Sequence, residues 1–132
     1  MDTGQKVRSI YVIDDDALQR EAIGLVVGTT GWKVQTFSSA EDCLAQLTRE
    51  RCDCVVVDLM MPGMSGADFL EVLMARGMDI PAVVITGVAS GSPLARRALE
   101  AGARVVLVKT CRPEEIVSAV ERALTAKRSA RG

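Results

Sequence analysis

Short apolar runs recur along the chain, each too brief for a helix, and four of them stop on a residue able to do chemistry. Ile10-Tyr11-Val12-Ile13 stops on Asp14, Asp15 and Asp16, and Cys54-Val55-Val56-Val57 on Asp58. Ala82-Val83-Val84-Ile85 stops on Thr86, and Val105-Val106-Leu107-Val108 on Lys109. Unbroken apolar runs mark strands covered on both faces, as in a parallel sheet flanked by helices. A fifth run, Lys33 to Phe37, mixes Lys33, Gln35 and Thr36 with apolar residues and suits the sheet edge. Parallel strands all end on one side, and the crevice there gathers residues far apart in sequence. The expectation is one site holding three or four carboxylates, a hydroxyl and an ammonium.

The stretches between the runs read as helices with clear ends. Leu18, Ala22, Leu25 and Val26 predict an apolar stripe facing the core, with Gly31 just past the helix end. Ser38-Ser39-Ala40-Glu41 has the spacing of a capping box ahead of Leu44 and Leu47. Ser65-Gly66-Ala67-Asp68 repeats the device ahead of Phe69, Leu70 and Leu73. Ser92-Pro93 sets a cap and a first-turn proline before Leu94, Ala98 and Leu99. Pro113-Glu114-Glu115 opens the last helix, whose core stripe is Ile116, Val120, Ala123 and Leu124. Strict alternation of five strands and five helices predicts an α/β fold with a doubly wound parallel sheet. Right-handed crossovers and the common flavodoxin-like arrangement give the strand order 2-1-3-4-5. Under that order the aspartates after the first strand and Asp58 after the third are neighbours.

Composition narrows the classes. A chain of 132 residues, 48% hydrophobic and 25% charged, is one globular domain with an ordinary core. A net charge of −1 gives no field that would hold nucleic acid directly. No apolar stretch approaches the ~20 residues of a membrane span, and no secretory leader opens the sequence, so the expected location is the cytoplasm with no membrane contact. The four cysteines Cys43, Cys52, Cys54 and Cys111 come without a single histidine, which disfavours zinc. Cys54 lies in a core strand and reads as a buried reduced thiol. Lys127, Arg128 and Arg131 read as a solvated basic helix end and tail.

Clustered carboxylates repel one another and call for a cation. All-oxygen ligands favour Mg²⁺, which takes a few carboxylates, waters and phosphate oxygens. Asp58 then reads as a nucleophile able to form an aspartyl-phosphate. Lys109, the Thr86 hydroxyl and the metal would stabilise the transferring phosphoryl group. Taken singly, each residue has a bland reading: Asp14 to Asp16 as a turn and helix cap, Asp58 as a loop cap, Lys109 as a surface lysine. Their joint arrival at one sheet edge favours the phosphoryl pocket.

Tyr11 to Asp16 with Arg20, Val57 to Gly66, Val84 to Gly87, and Ala101-Gly102-Ala103 with Lys109 together resemble the receiver domain of two-component response regulators. The resemblance spans roughly Val7 to Thr125, and it is nearest to receivers of the nitrogen-fixation and nodulation regulator type. It implies a single receiver domain over residues 1–132 with no output domain, either stand-alone or cut from a longer bacterial regulator. It implies that Asp58 is the phosphoacceptor and that Asp14 and Asp15 are the acidic pair, with Asp15 the direct metal ligand. Met60 would lend its backbone carbonyl to the metal, Thr86 would be the switch hydroxyl, and Lys109 would pair with the phosphate. The implied partners are a sensor histidine kinase or phosphotransfer protein and a downstream protein. The implied state is a monomer or a weak dimer through the fourth helix and fifth strand. Such a module is a stoichiometric phosphoacceptor rather than an enzyme.

Two positions depart from the family pattern. No aromatic residue stands two or three positions before Lys109, where Val106 and Leu107 sit, and Thr110 replaces the usual proline after it. The Lys109–Thr110 bond is therefore either trans or held cis by other contacts. The glycine- and serine-rich stretch Gly87 to Ser92 is expected to be a mobile loop that carries the response instead. The alternatives are a phosphorylation-independent adaptor with the same fold, or a phosphatase with an aspartate nucleophile. The phosphatase reading lacks its general acid, because Met60 stands two positions after Asp58.

Overall fold

The computed structural model describes residues 7–87, 89, 91–109 and 111–125. Strands and helices alternate as expected: β1 (Ser9–Ile13), α1 (Ala17–Gly28), β2 (Lys33–Phe37), α2 (Ala40–Leu47), β3 (Cys54–Asp58), α3 (Gly66–Ala75), β4 (Ala82–Thr86), α4 (Pro93–Glu100), β5 (Ala103–Val108) and α5 (Pro113–Thr125). The strands form one parallel sheet in the order β2-β1-β3-β4-β5. The basic residues Lys127, Arg128 and Arg131, the loop residues Val88 and Ser90, and Thr110 with its bond to Lys109 lie outside the described residues.

Successive strand residues face opposite sides of a sheet. Here both sides are apolar cores, which is why the runs are unbroken. Tyr11, Ile13, Val55, Val57 and Val84 pack with Leu44, Leu47, Phe69, Leu70 and Leu73. Ile10, Val12, Val56, Val83 and Ile85 pack with Ile23, Val27, Ile116 and Val120. Each such side chain removed from water contributes about 1.5–3 kcal/mol.

Helix ends follow the capping chemistry with one shift. Ser65 and Asp68 form a reciprocal capping box at α3, each side chain bonding the other's backbone N–H. Ser92 caps α4 ahead of Pro93 by accepting from the Ala95 N–H. The expected Ser38–Glu41 box at α2 is corrected by one residue: Ser39 is the cap and accepts from the Asp42 N–H. Two adjacent serines offer two frames, and the one whose backbone stays extended before the helix wins.

The expected stripe on α1 is also corrected. Its buried residues are Ile23 and Val27, whereas Leu18 and Leu25 are 79% and 69% exposed, Ala22 is exposed and Val26 half-buried. Gly24 explains the orientation. A Cβ on Gly24 would lie 3.2 Å from the Thr36 methyl, so α1 meets β2 along its glycine side and Leu18 and Leu25 swing outward. On α4 and α5, Ala98 is buried as expected, but Leu99 is exposed and Leu124 half-buried, so Ala95 and Ala119 complete those faces instead.

Candidate functional site at the carboxyl edge of the sheet

Register alone brings the reactive residues together. Ile13 pairs with Val57, so Asp14 and Asp58 leave neighbouring strands at the same level. Thr86 pairs with Val108, so Lys109 emerges one step beyond it, and its N–H donates to the Thr86 carbonyl at 2.8 Å. Asp14, Asp58 and Thr86 are buried, at 1%, 4% and 0% exposure, while Asp15 is exposed.

Asp14, Asp15 and Asp58 each place a carboxylate oxygen within 4.8 Å of the others. Asp16 does not join them. It caps α1, its Oδ1 accepting from the N–H groups of Leu18 and Gln19, so the expected three or four carboxylates are three. The Lys109 ammonium lies 3.1 Å from Asp58 Oδ2 and 3.7 Å from Asp14 Oδ2. The Met60 N–H donates to Asp58 Oδ1 at 3.2 Å. The Asp14 N–H donates to the Phe37 carbonyl, and Asp14 Oδ1 accepts from the Asp16 N–H.

One ammonium does not neutralise three carboxylates. Burial pushes the Asp14 carboxyl up from its ordinary value, and the charges of Asp58 and Asp15 add to that. The Asp16 N–H and Lys109 oppose the shift without cancelling it. For Lys109, burial works downward, but its hydrogen bond to Asp58 and the surrounding carboxylate charges leave it raised overall. Asp14 Oδ2 is a buried oxygen with no hydrogen-bond donor. Hard acceptors in excess, one of them without a donor, fit a divalent cation of the Mg²⁺ type.

The turn after Asp58 is built on close backbone contact. The Gly66 N–H donates to the Leu59 carbonyl at 2.9 Å, and a Cβ on Gly66 would fall 2.6 Å from the Asp58 carbonyl oxygen. Gly63, at φ +75°, lets the chain reverse before α3. Arg20 reaches back from α1, and its Nη1 donates to the Asp14 carbonyl at 2.8 Å. Sequence reasoning gave neither Gly66 nor Arg20 a physical role.

Cys111 lies two residues beyond Lys109 and lines a cavity with it, whereas the other three cysteines are buried in the cores. Cys43, Cys52 and Cys54 are buried free thiols, and burial raises each thiol's pKa, to about 12 for Cys52 and Cys54. No helix among the described residues is long and apolar enough to cross a membrane.

Comparison with known proteins gives the family and agrees with the fold. The profile of the response regulator receiver domain matches residues 10–121. The response regulator protein TodT of Pseudomonas putida is 38% identical over 115 residues, 87% of this chain and 50% of TodT. The transcriptional regulatory protein FixJ of Bradyrhizobium diazoefficiens is 33% identical over 87% of this chain and 56% of its own length. The chain thus spans about half the length of these curated relatives. The crystal structure of FixJ-N superposes with a TM-score of 0.85 at 32% identity, covering 93% of this chain and 98% of that one. On a family match that covers most of the chain, with the fold in agreement, the chain belongs to the response regulator receiver domains, the phosphoacceptor modules of two-component signalling.

Proposed function

We propose that this chain is a phosphorylation-switched module in which Asp58 accepts a phosphoryl group from a sensor histidine kinase or phosphotransfer protein. The observation that supports this best is the setting of Asp58. It is buried at a strand end, with Lys109 on one oxygen, a main-chain N–H on the other, and two further carboxylates beside it. An Asp58 oxygen attacks phosphorus, the bond from phosphorus to the donor's leaving group breaks, and an acyl phosphate forms. Mg²⁺ held by Asp15, Asp58 and the Met60 carbonyl, with Asp14 supporting through water, would neutralise charge on the phosphoryl oxygens. Lys109, already paired with Asp58, would pair with an oxygen of the phosphoryl group as the acyl phosphate forms. The Thr86 hydroxyl is assigned to a phosphoryl oxygen and to reporting the change. The module acts in the cytoplasm as a single receiver domain. Its output runs through a downstream protein or a further domain of a longer regulator, with Gly87 to Ser92 and the start of α4 as the responding segment.

Intact-mass measurement after incubation with acetyl phosphate and Mg²⁺ tests the assignment. Wild type gains the mass of one phosphoryl group, and Asp58→Ala gains none. Labelling that persists in Asp58→Ala overturns it.

A further inference from the structure

Arg20 stands beside the acidic pocket and binds none of its carboxylates. Among the described residues its guanidinium makes a single hydrogen bond, to the neutral Asp14 carbonyl, and no ion pair. Guanidinium groups carry five N–H donors and fork readily onto carboxylates. A half-buried arginine bonded only to the main chain at this point is therefore informative.

The backbone explains what that bond does. Peptide units are planar, so holding one C=O or N–H fixes the whole unit. The unit before Asp14 is held by the Asp14 N–H on the Phe37 carbonyl. The unit after Asp15 is held by the Asp16 N–H on Asp14 Oδ1. The unit between, joining Asp14 to Asp15, is held at its carbonyl by Arg20. Asp15 is exposed, and no hydrogen bond to its carboxylate is seen among the described residues. These three bonds hold the backbone from which its side chain projects.

We propose that Arg20 is a positioning residue for the cation pocket: it pins the Asp14–Asp15 peptide and aims Asp15 before the cation arrives. This rests on the proposed Mg²⁺ site. Pinning the main chain also leaves the carboxylate oxygens open, where a forked guanidinium would compete with the metal. Residues that orient metal ligands from behind usually govern about 10–100-fold in metal affinity.

Isothermal titration of the purified chain with Mg²⁺ tests this, well below the melting temperature of each variant. Arg20→Met weakens binding by about 10–100-fold. In an Asp15→Asn background the same substitution costs far less, because the carboxylate it aims is gone. An equal loss in both backgrounds, unchanged affinity, or tighter binding on losing the positive charge overturns the proposal. If Arg20→Met does not fold, Arg20→Gln, whose amide stops short of the carbonyl, is scored by the same outcomes. A wild-type chain that binds no Mg²⁺ overturns the metal site itself, and this inference with it. Wild-type binding without an Arg20 effect overturns only the inference.

Discussion

Ile10 to Ile13 and Val55 to Val57 are sealed from solvent, whereas Val105 to Leu107 are half-buried and Val108 is 38% exposed. The first two strands flank the switch point and deliver Asp14, Asp15 and Asp58; the last delivers Lys109. Like charges held within a few ångströms relax apart unless their frame is stiff, and two strands packed on both faces supply that frame. The strand at the edge has a neighbour on one side only and is not sealed in the same way. A site built on both can keep its carboxylates fixed while the strand that carries Lys109 has more room to shift.

The largest expected difference is in stability. Ile10→Ala, in the sealed half, should cost about 2–5 kcal/mol in denaturant unfolding, because the surrounding helices cannot collapse into the gap. Leu107→Ala, in the edge strand, should cost no more than about half of that, since solvent already reaches the side chain. Equal losses would break the comparison.

A subtler change sharpens it. Gly66→Ala places a methyl 2.6 Å from the Asp58 carbonyl oxygen and 2.9 Å from the Leu59 Cα, both of them backbone. Overpacking against immovable atoms costs about 1–3 kcal/mol. The displacement falls on Asp58, so Mg²⁺ should raise the melting temperature less in Gly66→Ala than in wild type. A full Mg²⁺ response in the variant would mean that the sealed half is softer than its packing implies.

Much of this was legible in the residues. A parallel sheet between two helix layers leaves unbroken apolar strands, and strand ends on one edge gather their terminal residues, so fold, order and the gathering of carboxylates at that edge followed from pattern. The face that α1 buries did not follow, because apolar residues lie on both of its sides and periodicity cannot choose between them. The close approach of Gly24 to Thr36 chooses. Asp16 could not be told from Asp14 and Asp15 by type; the backbone path makes it a cap. Arg20 acts through a side chain on a main-chain carbonyl, a contact that leaves no periodic trace.

The smallest expected effect concerns what holds the looser half. Arg97 on α4 forks onto Glu71 of α3, Nε to Oε2 at 3.0 Å and Nη2 to Oε1 at 2.7 Å, and also reaches Asp68 Oδ1 at 2.7 Å. These groups are partly exposed and screened by salt, so Arg97→Met should cost less than any of the three changes above. The hydrogen bonds from Arg97 hold the carboxyls of Asp68 and Glu71 below their ordinary values. A lowered folded value means that the unfolded chain binds more protons. The contribution is therefore present above the ordinary carboxylate range, about pH 4, and is lost as pH falls through the lowered folded values. The stability gap between wild type and Arg97→Met should be flat near neutral pH and close on acidification. Hydrogen exchange should place the loss in α4 and leave β1 and β3 protected. A gap that widens in acid, or exchange that rises equally in β1 and α4, would show that the two halves are one cooperative unit.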